Sequence, residues 1–475
     1  MWQKKQIIYI YLFSLYNFIL TSYVTIPFEI FKENEPIQYS SIEDYFTYNS
    51  NLKYYGEISI GESSTPIPIL LTFDDFGFYY ISKGTEMGKI NNIYDPLSSY
   101  SFKYNSHQVV YYRNFGKTYN ANDTFFFNED KLKCRDIKFL FCGEDHLKQN
   151  SYMIIGLRLI GDIIRDKDLN LVKQLRQNKY TETYDWSLHF DENNKNKGIL
   201  LIGAEAHKYN PSKFDQNYIL NSVTLSKDAI DEWSLHFDKI YFLNKKKEEI
   251  QITDLLRFTL THDSNLIIGA SSYEKLIKQY FFDELIEKGK CQIEKSKVEA
   301  RVYTCINNDN IKSELKEKFP PLKIENKAFM KTFELTYDDL FLEKNDKIYF
   351  LVYFSYYMPF SWKVGLPFIK KYFFNYNYDT HLISYYNNDL ANYKEEEENS
   401  TSMSAGKIVL IVFLSIFISL FGFYIGRKYI LMRRKEKIRA EELETELSKQ
   451  ISEVNETTEY QPPKEEKNVS KYFLI

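Results

Sequence analysis

Two tripeptides sit in matching surroundings along this chain, Thr72-Phe73-Asp74 and Thr261-His262-Asp263. Each follows an apolar run of strand character (Ile67, Ile69, Leu70, Leu71; then Leu255, Leu256, Phe258, Leu260), and each leads into further apolar residues. Paired loops of this kind can bring side chains from distant parts of a chain to one place. If two carboxyls meet about 3 Å apart, both cannot ionise, so they share a proton and act as base and acid toward a water between them. If two hydroxyls meet there, no general base exists, because a threonine hydroxyl has no useful proton affinity near neutral pH. The outcome turns on a register of two residues, and period-two alternation leaves Thr and Asp on the same face. A Thr-His-Asp relay within Thr261–Asp263 is geometrically poor, since neighbouring residues on a strand or tight loop point apart.

The other chemistry-bearing residues lead elsewhere. The hexapeptide Trp-Ser-Leu-His-Phe-Asp occurs at 186–191 and again at 233–238. Both copies alternate apolar and polar, which places His189 and His236 at solvent-facing strand positions and predicts no metal site. Cys291 and Cys305 bracket a polar segment able to turn back on itself, and a disulfide is expected there. Cys134 and Cys142 would lie about 27 Å apart on one straight strand, far beyond bridging distance, and read as free or buried thiols. Sequons begin at Asn122 and Asn399.

The ends of the chain suggest where these groups work. Lys4 and Lys5, an apolar stretch from Ile7 to Leu20, then Thr21 and Ser22 follow the order of a secretory signal peptide. Ile408 to Ile425 is an uncharged apolar run, about 27 Å long as a helix, and predicts one transmembrane span. Arg427, Lys428, Arg433, Arg434 and Lys435 follow it, whereas Glu395 to Glu398 precede it, so the tail is expected in the cytosol and the large part outside or in a lumen. Ala440, Leu443, Leu447, Ile451 and Val454 form one stripe on a charged tail helix, a possible docking face for a cytosolic partner. With a net charge of −4 and interspersed charges, nothing points to nucleic acid.

Strand-like segments dominate between these ends, broken by Gly, Asn, Asp and Pro, and the 41 Tyr and 37 Phe suit strands. Helical patterns are confined to Leu159–Leu175 and Tyr273–Lys288. In order along the chain come Tyr54 to Gly61, Tyr94 to Phe102, Val110-Tyr111-Tyr112, Ile154-Ile155-Gly156-Leu157, Gly198 to Gly203, Leu266 to Gly269, Phe319-Pro320-Pro321-Leu322 and Trp362 to Tyr372. The order and spacing of these segments, over most of residues 50–388, resemble the pepsin-like aspartic peptidases.

That resemblance implies an all-β, bilobal fold with a cleft between the lobes, to which the C-terminal transmembrane helix is added. It divides the chain into a signal peptide (1–22), a short N-terminal segment (23–49), an N-terminal β lobe (50–205), a C-terminal β lobe (206–388), a polar stalk (389–407), the span (408–425) and a tail (426–475). Counted from Gly61 and back from Gly269, the family's catalytic positions fall on Thr72 and Thr261, with Asp74 and Asp263 as displaced candidates. Tyr112 falls at the flap tyrosine and Tyr79 at the downstream aromatic, both as substrate-binding positions. The expectation is therefore a silent peptidase relative, without cofactor or metal, that binds an extended peptide or protein in its cleft. An active endopeptidase using Asp74 and Asp263, and a purely structural surface protein, stand as alternatives.

Overall fold

The computed structural model describes residues 23–31, 39–75, 77–81, 99–112, 116–129, 131–142, 152–159, 167–224, 232–253, 257–357, 362–390, 426–439 and 441–449. Two units result. One closes at Ala391 and the other runs from Asn392.

The larger unit mixes helix and strand, which corrects the all-β expectation. Helices Ile42–Ser50, Leu171–Gln177 and Asp309–Lys318, and a continuous helical run from Ser271 to Glu287, are interleaved with strands. Each has a local cause. Ser41 and Asp44 form a capping box at Ile42–Ser50, while Asn170 and Asn308 accept from the third backbone N–H of Leu171–Gln177 and Asp309–Lys318. The run predicted over Tyr273–Lys288 is found, with a π-helical turn at Lys278–Phe282. Of the pattern over Leu159–Leu175, the described helix begins only at Leu171.

Among the described residues thirteen strands form the largest sheet, nine a second and four a third. The bilobal expectation is corrected as well, because the halves do not keep separate sheets. Strands Ile219–Val223, Phe374–Asn377 and Leu382–Tyr386 from the second half join the thirteen-stranded sheet beside Asp185–Phe190. Alternation drives the burial: in Thr65–Thr72, Ile67, Ile69 and Leu71 are inward and fully or almost fully buried. The core is rich in rings, including Trp186 stacked on Tyr376 at 4.3 Å and Phe258 on Trp362 at 5.1 Å.

Among the described residues no helix is long and apolar enough to cross a membrane. Residues 408–425, where that span was expected, and the signal peptide at 1–22 lie outside the described residues, as does Asn399. In the second unit, residues 426–439 and 441–449 are helical and exposed. Leu443 and Leu447 of the expected stripe are exposed on it, whereas positions 440, 451 and 454 lie outside the described residues.

Candidate active site

The same four-strand arrangement occurs twice and carries one aspartate each time. In the first, Thr65–Thr72 runs parallel to Tyr152–Gly156, which pairs antiparallel with Phe78–Ile81, which in turn runs parallel to Leu132–Cys142. In the second, Arg257–Leu260 runs parallel to Trp362–Val364, which pairs antiparallel with Ile267–Ile268, which runs parallel to Val352–Ser355. The registers superpose. Leu71 opposes Ile155 and Leu260 opposes Val364, each the residue before a glycine, Gly156 or Gly365. Thr72 is therefore equivalent to Thr261, Phe73 to His262, and Asp74 to Asp263.

Those glycines let a strand end come close to each loop. A Cβ on Gly365 would meet the carbonyl oxygens of Ser264 at 2.2 Å and Leu266 at 2.5 Å, so no larger residue fits there. The loops are tied to the strands they cross by Leu157 N–H to Thr72 O (2.8 Å), Arg158 N–H to Asp75 O (2.9 Å), Thr261 N–H to Val364 O (2.9 Å) and Leu366 N–H to Ser264 O (2.7 Å).

The groups that meet across the two loops are the carboxyls. The carboxyl of Asp74 stands near enough to that of Asp263 to act on its protonation, Asp74 on the solvent side and Asp263 half-buried. Burial, and then the Asp74 carboxylate beside it, push Asp263 up from 3.8 to about 6; Lys363, paired with Glu232 at 3.3 Å, pulls weakly the other way. The threonine hydroxyls are used locally instead. Thr261 Oγ1 donates to Val364 O at 3.1 Å, and Thr72 Oγ1 accepts from the Asp74 N–H at 3.4 Å. The strand pairing makes both pairs expected from Gly61 and Gly269 equivalent, Thr72 with Thr261 and Asp74 with Asp263.

Behind the acids, the equivalent rings of Phe73 and His262 stack at 4.6 Å, with Trp186 5.5 Å from the imidazole. His262 is buried, its Nε2 lies 2.8 Å from the Tyr376 hydroxyl, and the Tyr54 hydroxyl donates to its carbonyl. Burial pushes the imidazole down to about 3, so it stays neutral through the range in which Asp263 titrates. With Nε2 engaged by Tyr376, it takes no part in a relay with Thr261.

The first loop carries a second acid that sequence reasoning passed over. Asp75 Oδ1 accepts from Gly77 N–H at 3.1 Å and from the Tyr79 hydroxyl at 2.7 Å, and Arg158 Nη1 donates to Asp74 O at 3.2 Å. Tyr79, expected to touch substrate, is fully buried and spends its hydroxyl on Asp75, so that expectation is corrected. Tyr112 closes the strand Lys103–Tyr112 opposite Gly116, and its side chain lies outside the described residues.

The remaining expected positions fall away from the acids. Cys291 and Cys305 are opposed on paired strands and joined, while Cys134 and Cys142 are buried outside any disulfide, their thiols pushed up to about 12 by burial. Asn122 lies within a strand, its Nδ2 donating to Asp136 at 3.1 Å, and the sequon's Thr124 is buried. His236 is exposed. His189 is not solvent-facing as expected: it packs among Tyr209, Phe214 and Phe373, and burial pushes it down to about 3. The repeated hexapeptide does bring its two tryptophans together, Trp186 and Trp233 meeting edge to face at 6.1 Å. Among the described residues no group of His, Cys, Asp and Glu is arranged to hold a metal ion. No family model matches this chain, and no curated protein matches it.

Proposed function

We propose that Asp74 and Asp263 form the acid–base pair of an aspartic-type endopeptidase that cleaves polypeptides at acidic pH. The observation that carries this reading is that two strand arrangements of the same register place Asp74 and Asp263 on equivalent loops, near enough for the one carboxyl to help hold the other up near 6. Below that value Asp263 carries a proton. The ionised carboxylate takes a proton from water as its oxygen attacks the scissile carbonyl carbon, and the protonated carboxyl gives its proton to the carbonyl oxygen. Collapse of the resulting gem-diol breaks the C–N bond: the amine nitrogen takes a proton from the carboxyl just protonated by water, and a diol hydroxyl gives its proton back to the other carboxylate as the new carbonyl forms. An extended peptide is the substrate class because strand-like backbone hydrogen bonding presents a carbonyl without demanding particular side chains.

The silent-relative reading is set aside because Thr261 Oγ1 and Thr72 Oγ1 are spent on bonds to their own surroundings. A working place in an exported, oxidising compartment is supported by the Cys291–Cys305 disulfide. The test is incubation of the purified protein with a mixed peptide pool at pH 4–5 and mass-spectrometric reading of new termini. Cleavage blocked by a non-hydrolysable peptide carrying a hydroxyl at the scissile carbon supports the reading. No cleavage between pH 3 and 7 overturns it.

A further inference from the structure

The two acid loops are held in different ways. The first is braced within its own half, Asp75 collecting Gly77 N–H and the Tyr79 hydroxyl. At the equivalent place in the second loop stands Ser264, whose shorter side chain accepts only from Leu266 N–H at 3.0 Å. Besides its ties to Val364, Leu366 and Tyr54, the second loop takes support from a helix that precedes both acid-bearing motifs.

Helix Ile42–Ser50 lies against the back of that loop. Tyr39, Ile42 and Tyr45 pack with Leu266, Val302, Tyr349 and Leu351, with Tyr45 stacked on Tyr349 at 4.7 Å and its hydroxyl donating to Phe350 O at 3.1 Å. At the helix end, bonds reach all three residues from Asp263 to Asn265. Leu52 N–H donates to Asp263 O at 2.6 Å, and Asn265 N–H donates to Asn49 O at 2.7 Å. Ser264 Oγ lies 3.4 Å from Asn49 O, and Asn265 Nδ2 donates to Asn49 Oδ1 at 3.2 Å. Asn49 is fully buried, its Nδ2 donating to Tyr45 O at 2.8 Å and the Tyr39 hydroxyl at 3.1 Å.

The geometry points to helix Ile42–Ser50 as a brace that sets the second acid, with Asn49 the positioning residue for Asp263. Asn49 touches neither carboxyl. It acts by fixing the backbone from which Asp263 projects, and a misplacement of about 1 Å at such a pair is worth up to about a hundredfold in rate. The inference rests on the acid-pair reading, and its test separates the two.

The full chain, Asn49→Ala and Asn265→Ala are treated with a small epoxide from pH 3 to 8. Esterification of Asp74 or Asp263 is followed by peptide mapping, and thermal midpoints are recorded alongside. An epoxide is opened by a carboxylate while the neighbouring carboxyl gives its proton to the leaving oxygen, so the rate reports the pair directly without any peptide substrate. The wild-type rate should fall as pH rises through about 6. Either variant should slow esterification about tenfold and move that midpoint by about one pH unit, while the KM of any cleaved peptide stays within twofold. Asn265 is half-buried, so Asn265→Ala reports the same amide pair if Asn49→Ala fails to fold. A drop in thermal midpoint with rate and pH midpoint unchanged overturns the brace. Esterification as expected, but no peptide cleavage by wild type, refutes the hydrolase and leaves the brace standing; no esterification in wild type overturns both.

Discussion

Replacing Asp263 with Asn should change the pH dependence of stability in a direction and amount that the pair dictates. In the folded chain Asp263 gives up its proton at about 6, against 3.8 for an ordinary aspartate. Between these values the folded state binds a proton that the unfolded state has lost. The resulting stabilisation is fully present below about 3.8 and is lost as pH rises through about 6. At about 1.36 kcal/mol per pH unit the displacement amounts to at most about 3 kcal/mol. An amide at 263 does not titrate, so the difference in unfolding free energy, variant minus wild type, should rise by up to about 3 kcal/mol from pH 4 to pH 7. Urea unfolding at intervals across that range, followed by tryptophan fluorescence, measures it, since Trp186 and Trp233 both report on the core behind the acids. A difference that stays flat with pH would refute the argument that Asp263 is held protonated by burial and its neighbour.

Two further outcomes follow from groups around the pair. His262 titrates at about 3 in the folded chain and 6.5 otherwise, so its contribution is present above 6.5 and is lost as pH falls toward 3. His262→Phe should cost about 1–3 kcal/mol at pH 7 by leaving the buried Tyr376 hydroxyl unpaired, yet narrow its deficit by pH 4; a deficit constant with pH contradicts the neutral imidazole. Replacing Cys291 and Cys305 by Ala removes a link spanning 14 residues and should cost about 3 kcal/mol in urea, where no change would show that the link constrains nothing.

Much of the site was legible in the residues, but not its register. The matched tripeptides, the apolar runs before them and the glycines at 156 and 365 all announced two equivalent loops, and two such loops are what the strand pairing builds. Which residue of each tripeptide reaches the meeting point depends on where each strand ends relative to its neighbour, and spacing from Gly61 or Gly269 cannot measure that. Helix lay within reach at Tyr273–Lys288, where six apolar residues share a face. It was hidden at Ile42–Ser50, whose signal is the Ser41–Asp44 capping pair rather than a periodic stripe. The role of Asn49 was out of reach altogether, because a contact between residues more than 200 positions apart leaves no local pattern. Asp75 and Tyr79 were masked by a different cause: a buried tyrosine beside an acid reads, in one dimension, like a ring awaiting substrate.

The central claim is tested most directly by peptide cleavage at pH 4.5 in four variants of the full chain, Asp74→Asn, Asp263→Asn, Thr72→Ala and Thr261→Ala. Loss of either acid should lower kcat by about a hundredfold or more, whereas either threonine substitution should leave it within about tenfold of wild type. Cleavage that survives in both Asn variants would contradict the account.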